Sequence, residues 1–214
     1  MNTQKKPGAF KQIAAGFAVL AGITGIYLFQ ADGRKAGTAE AVAVASSAAP
    51  SAGVTRELAT GALAAFLVRP ERKPVGDFGF QDGDRKPVKL SDWKGRVVLI
   101  NLWATWCAPC RKEMPDLAEL QKELGSEDFE VVAISVDRKG AEASSAFLQE
   151  TGAGNLKLYI EPTTAILNDL QAIGLPATVL LDRQGNEIGR LLGPADWSSP
   201  EAVALIKAAL AEGA

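Results

Sequence analysis

Cys107 and Cys110 are the only cysteines in this chain of 214 residues, and they stand in the run Cys107-Ala108-Pro109-Cys110. Two thiols at this spacing can close a disulfide and reopen it by exchange through a mixed disulfide with another protein. A purely structural bridge is a poor reading, because a disulfide across so short a loop removes little chain entropy. The chain contains no histidine, so it lacks the usual general base and the commonest metal ligand. A Ser-His-Asp hydrolase or a Cys-His protease is excluded by inventory. A zinc site built from Cys and His needs about four such ligands, and two are present. No metal is expected, and no cofactor beyond the redox-active Cys107-Cys110 pair itself. A net charge of −2 gives no footprint for nucleic-acid binding.

The elements around the pair bear on its chemistry. Arg96 to Trp103 (RVVLINLW) is a continuous apolar run, as expected of a buried central strand. Cys110 to Leu124 has helical periodicity, with Met114, Leu117, Leu120 and Leu124 on one face and Gly125 as the stop. The motif therefore sits where a strand gives way to a helix. Free N–H groups and the macrodipole at a helix N-terminus stabilise a thiolate. Cys107, nearer that terminus, is expected to be the nucleophile, and Cys110, one turn further in, the resolving thiol. Pro109 suits the first helical turn, where its missing N–H costs nothing. Arg111 and Lys112 add positive charge next to the motif and are read mainly as a solvated face.

The rest of the body alternates. Val54 to Arg69 is expected to be a short helix ended by Pro70, and Asp77 to Phe80 with Pro87 to Leu90 a hairpin around Gln81-Asp82-Gly83-Asp84. After the motif helix come a buried strand at Phe129 to Val136, a helix at Ala141 to Thr151 and a short strand at Leu156 to Ile160. A helix over Thr163 to Ile173, strands at Ala177 to Leu181 and Glu187 to Leu192, and a last helix over Ser199 to Leu210 complete the chain. This order predicts an α/β fold, a mixed sheet flanked by helices.

The first third differs in composition. Residues 1–70 hold seven Lys/Arg against three Asp/Glu, while residues 71–214 hold sixteen against twenty-two. Gln12 to Ala31 is an uncharged run of twenty residues, long enough as a helix to cross a hydrocarbon core of roughly 30 Å. Lys5, Lys6 and Lys11 precede it, which by the positive-inside rule keeps residues 1–11 in the cytosol and sends the rest outward. A cleavable signal peptide would have a shorter apolar core followed directly by a small-x-small site. Here Asp32, Gly33, Arg34 and Lys35 follow the run, so the expectation is an uncleaved anchor. Residues 32–53, mostly Ala, Ser, Gly and Thr, read as a flexible linker. Residues 54–214 are then an exported domain on the outer side of the inner membrane.

The segment Ile100 to Pro115 (INLWATWCAPCRKEMP) resembles the TlpA/ResA branch of the thioredoxin superfamily, whose members are exported, membrane-tethered thiol:disulfide oxidoreductases. The resemblance spans about residues 75–214, and Lys89-Leu90-Ser91-Asp92, Phe129 to Ile134 and Gly193-Pro194-Ala195 place it on the TlpA side of that branch. It implies a thioredoxin-like sheet and a cis-proline on the loop facing the motif, matched here by Pro176 in Ile173-Gly174-Leu175-Pro176-Ala177-Thr178. Leu175 would then offer its backbone to a client chain, alongside Trp106, Ala108 and Pro109 around the motif. Thioredoxin itself carries a buried Asp in the strand before its cysteines, as proton acceptor for the resolving thiol. The matching residue here is Asn101, which cannot accept that proton. Glu113, three residues after Cys110 and on the same helix face, is the candidate to replace it, against the alternative of an ordinary solvated glutamate.

The resemblance further implies a reductant, consistent with an Ala-Pro dipeptide that adds no charge to favour the thiolate form. Its clients would be exported proteins with disulfides: copper-site cysteines of cytochrome oxidase assembly, or alternatively the haem-binding cysteines of apocytochrome c. A reductant in an oxidising compartment needs recharging by a transmembrane electron donor. A redox-silent docking module is the reading of another class. A peroxidase would need a lone peroxidatic cysteine in a Thr/Pro-lined pocket, which the sequence does not offer.

Overall fold

A computed structural model describes residues 53–212. The basic leader, the apolar run at 12–31 and nearly all of the linker lie outside the described residues. Among the described residues, no helix is long and apolar enough to cross a membrane.

Eight strands form one mixed sheet in the order β1-β8-β7-β4-β5-β6-β2-β3. Strand β1 is Leu67–Val68, β2 Gly79–Asp82, β3 Pro87–Lys89 and β4 Val97–Trp103. They are followed by helix α1 (Ala108–Leu124), β5 (Phe129–Ser135), α2 (Gly140–Glu150), β6 (Tyr159–Ile160) and α3 (Ala165–Asp169). Strands β7 (Ala177–Leu181) and β8 (Glu187–Leu192) and helix α4 (Pro200–Ala211) close the fold. Strand β4 runs parallel to β5 and antiparallel to β7, and the β2–β3 hairpin extends the sheet beyond β6.

Every residue of β4 and β5 is buried. Side chains alternate between the two faces of a strand, so burial of all of them requires cover on both faces. That explains why RVVLINLW and FEVVAIS are mostly apolar on both faces rather than alternating, with Asn101, Glu130 and Ser135 as buried polar exceptions. Burying each Leu, Ile or Val in this way contributes roughly 1.5–3 kcal/mol. Helix α1 adds Met114, Leu117, Ala118 and Leu120 to the same core.

Three expected elements differ from those observed. Val54 to Arg69 is two single 3-10 turns, Arg56–Leu58 and Gly61–Leu63, followed by β1. Thr60 is extended and Gly61 has φ +51°, a left-handed conformation that stops a helix there. The chain instead packs down: Phe66 is buried against Gly189, where an added Cβ would meet the ring at 2.4 Å. The expected Thr163 to Ile173 helix shrinks to Ala165–Asp169, bounded by left-handed Thr164 (φ 65°) and Gln171 (φ 52°). The strand expected from Leu156 pairs only over Tyr159–Ile160.

Candidate functional site

The end of β4 delivers the motif. Cys107 is the N-cap of α1, in extended conformation, and its Sγ accepts the backbone N–H of Cys110 at 3.2 Å. Ala108 and Pro109 form the first turn. The two cysteines are joined as a disulfide with Cα atoms 5.3 Å apart, and both side chains are buried. Because Cys107 lies outside the first helical turn, its sulfur faces the unpaired N–H groups and the positive end of the helix dipole. Trp106, by contrast, is 68% exposed.

The loop that carries Trp106 and Cys107 is pinned from β5. Asp137, buried just beyond that strand, accepts the Thr105 N–H at 3.1 Å and the Thr105 hydroxyl through Oδ2, and the Lys139 N–H at 2.9 Å through Oδ1. Burial alone pushes its carboxyl up, but these donors and the Lys139 charge outweigh that and hold it below the usual value. Sequence reasoning did not single out Asp137; its only signal was a lone acid directly after a buried strand.

Across the motif, the Leu175–Pro176 peptide bond is cis. Pro176 is buried and Leu175 half-buried, one and two residues before β7. The register Leu102↔Ala177↔Leu192 sets this loop level with the end of β4. Two apolar residues that sequence reasoning left unmarked join it: Ile173 at 91% exposure and Leu192 at 44%.

Glu113 is not a solvated helix residue; it is 1% exposed. Asn101 Nδ2 donates to Glu113 Oε1 at 2.8 Å, and the Ala195 N–H donates to Oε2 at 3.3 Å. Burial pushes its pKa from 4.5 to about 7. The Asn101 and Ala195 donors and the nearby Trp197 indole work against that rise, and the Asp116 charge adds to it. The Trp197 Nε1 has no hydrogen-bond partner of normal geometry, so Asn101 and Ala195 are the donors that hold the carboxyl. Glu113 also borders an open cavity of about 390 Å³, lined among others by Ala62, Lys112, Asp116 and Asp196. Burial and the Asp196 charge push Asp116 up as well. A carboxyl near pH 7 can both take and return a proton under ordinary conditions.

Arg111 does not lie on a merely solvated face. Its guanidinium stacks over the Phe147 ring at 4.3 Å from the centroid, and Phe147 in turn stacks on buried Trp103 at 4.9 Å. Its contact with Glu150 is 3.4 Å and half-exposed.

The sheet order and a cysteine pair at a helix N-terminus define a thioredoxin-type redox protein. The chain belongs to the Redoxin family, whose model matches residues 70–206, and is a thiol-disulfide oxidoreductase of the TlpA/ResA-like branch. It is 31% identical over 123 residues to the thiol-disulfide oxidoreductase ResA of Bacillus subtilis, covering 58% of this chain and 68% of that one. Among solved structures it is similar to a Chlorobium tepidum protein described as thiol:disulfide interchange protein DsbE. That match has a TM-score of 0.58 and 28% identity, covering 65% of this chain and 98% of the other. A DsbF homologue from Corynebacterium diphtheriae matches with a TM-score of 0.55 and 30% identity, covering 67% of this chain and 90% of the other.

Proposed function

We propose that this chain is a membrane-anchored reductase of disulfides in exported client proteins, acting outside the cytoplasmic membrane. The observation that carries the reading is Cys107 as the N-cap of α1, its sulfur directed at free N–H groups. In the reduced enzyme the Cys107 thiolate attacks one sulfur of a client disulfide, and the client's other sulfur leaves as a thiolate. Cys110 then loses its proton to Glu113 and attacks Cys107 Sγ. The Cys107–Cys110 bond forms, the client's second thiolate leaves, and two electrons have passed to the client. A transmembrane electron donor returns two electrons to the pair, and no other cofactor takes part.

Trp106, Ile173, Leu175 and Leu192 give the site an apolar rim suited to unfolded segments flanking a client disulfide. Leu175 next to Pro176 offers backbone groups, and Ala108 and Pro109 leave the sulfurs unobstructed. Anchoring is supported by the uncharged run at 12–31 behind three lysines. The TlpA-like segments favour copper-site cysteines of cytochrome oxidase assembly as clients. The similarity to ResA proteins keeps apocytochrome c haem-binding cysteines as the second reading.

Trapping tests this reading. Cys110→Ser expressed in the full chain should accumulate mixed disulfides between Cys107 and exported proteins, identifiable by mass spectrometry. Capture of cytosolic proteins alone, or of none, contradicts it. A reduction potential near about −120 mV, on the scale of strong oxidants, would reverse the assignment as a reductant.

A further inference from the structure

Asn101 and Thr178 are directly opposite residues of the antiparallel β4–β7 pair, so their side chains rise from the same face of the sheet. Asn101 Nδ2 donates both to Glu113 Oε1 at 2.8 Å and to Thr178 Oγ1 at 3.0 Å. The two contacts fix the orientation of the amide, since a flipped one would set its oxygen against the carboxylate and against no donor but the threonine hydroxyl. They also leave Asn101 Oδ1 buried without a partner. An unpartnered acceptor in a core destabilises the fold, and two apolar residues at 101 and 178 would avoid it. Such a pair would, however, strip the buried Glu113 of its Asn101 donor, so the bridge serves the carboxylate rather than the strand pair.

We propose that Asn101, locked in place by Thr178, is a positioning residue for the resolving step: it fixes Glu113 Oε1 and favours the ionised carboxylate that receives the Cys110 proton. The proposal rests on the role given to Glu113 above. The charged groups around that carboxyl are Lys112 and Asp116 on its own helix and Asp196 across the cavity. From β4 the neutral Asn101 donates to it and from the loop after β8 the Ala195 N–H, while Thr178 of β7 holds Asn101. Take away the Asn101 donor, and burial and Asp116 act with less opposition. Fewer molecules then hold Glu113 ionised at neutral pH, so Cys110 keeps its proton and the mixed disulfide lasts longer.

The test is stopped-flow reaction of the reduced full-length protein with excess 5,5'-dithiobis(2-nitrobenzoate) between pH 5 and 9. The first thionitrobenzoate released reports Cys107 attack, and the second reports resolution by Cys110. Asn101→Leu should move the acid limb of the second phase up by about one pH unit and slow that phase about fivefold near pH 7. The effect should be confined to the second phase. Thr178→Val, which keeps shape and removes the hydroxyl, should shift the limb the same way by less, and it decides the matter alone if Asn101→Leu does not fold. If Glu113→Gln erases the limb while the folded Asn101 and Thr178 variants leave it in place, the positioning role is overturned and the Glu113 role stands. A limb that survives Glu113→Gln overturns both.

Discussion

Glu113 and Glu130 are the two most deeply buried glutamates among the described residues, at 1% and 3% exposure, yet they sit in different company. Glu130, on β5 level with Val98, is met by the Arg96 guanidinium at 2.9 Å and the Lys157 ammonium at 3.4 Å. The Tyr159 hydroxyl donates to it at 2.6 Å and the Trp93 indole at 3.2 Å. Burial alone would push its carboxyl up, but these hydrogen bonds and charges together hold it below the ordinary value. Glu113 has neutral donors and an acidic neighbour, and burial prevails, leaving it at about 7. Counter-charge, not depth, separates a carboxylate that braces the fold from one that can exchange a proton. The first joins β5 to Tyr159 of β6 and to Trp93 and Arg96 just before β4, beside the stacked rings of Phe80, Trp93 and Tyr159; the second lies one helical turn after Cys110.

The largest effect is expected at the bracing glutamate. Glu130→Ala leaves the buried Tyr159 hydroxyl and Trp93 indole, together with the half-buried Arg96, without their shared acceptor, and should cost about 3–5 kcal/mol in urea unfolding. Client reduction per folded molecule should be kept. A loss under about 1 kcal/mol would erase the distinction between the two sites.

Next comes Glu113→Gln, with the opposite sign. A carboxyl raised in the folded state binds its proton more tightly there than when unfolded, so wild type loses stability as pH rises from about 4.5 to 7. The glutamine variant should gain on wild type across that window by up to about 3 kcal/mol, while resolving mixed disulfides on the order of a hundredfold more slowly. Glu130→Gln should behave in reverse: its disadvantage is complete at neutral pH and fades as pH falls through the lowered Glu130 value. Unfolding curves of both variants at pH 3, 4.5, 6 and 8 check these slopes together.

Thr105→Val is a smaller change, removing a hydroxyl bond to Asp137 and relaxing the loop before Cys107. It should cost about 1 kcal/mol and slow alkylation of Cys107 by iodoacetamide. Smallest of all, Glu119→Ala breaks the exposed pair with Lys122 and should stay within about 0.5 kcal/mol in thermal unfolding.

How much of this was legible in the sequence depended on the range of the interactions. Strands β4 and β5 announced themselves as apolar runs, and α1 through its periodicity and the proline in its first turn. All of these are local signals. The segment from Val54 to Arg69 departs from the helix its apolar spacing predicts, because its form is set by Gly61 and by packing of Phe66 on Gly189, more than a hundred residues away. Helix α3 fell short because Thr164 and Gln171 adopt left-handed conformations that neither residue type advertises. At the site, the cysteines could be found from spacing, and Pro176 and Glu113 from the family resemblance. The Asn101–Thr178 bridge could not, since β7 joins β4 across 77 residues of sequence. Nor could the state of Glu130, which depends on Arg96 and Tyr159 arriving from two other strands' ends.

Carbon-detected NMR titration of the glutamate side-chain carboxyls, in oxidised protein between pH 3 and 9, tests the central distinction most directly. Glu113 should titrate with a midpoint near 7, and Glu130 should remain ionised to below 4.5. Midpoints for both in the ordinary carboxylate range would contradict the account.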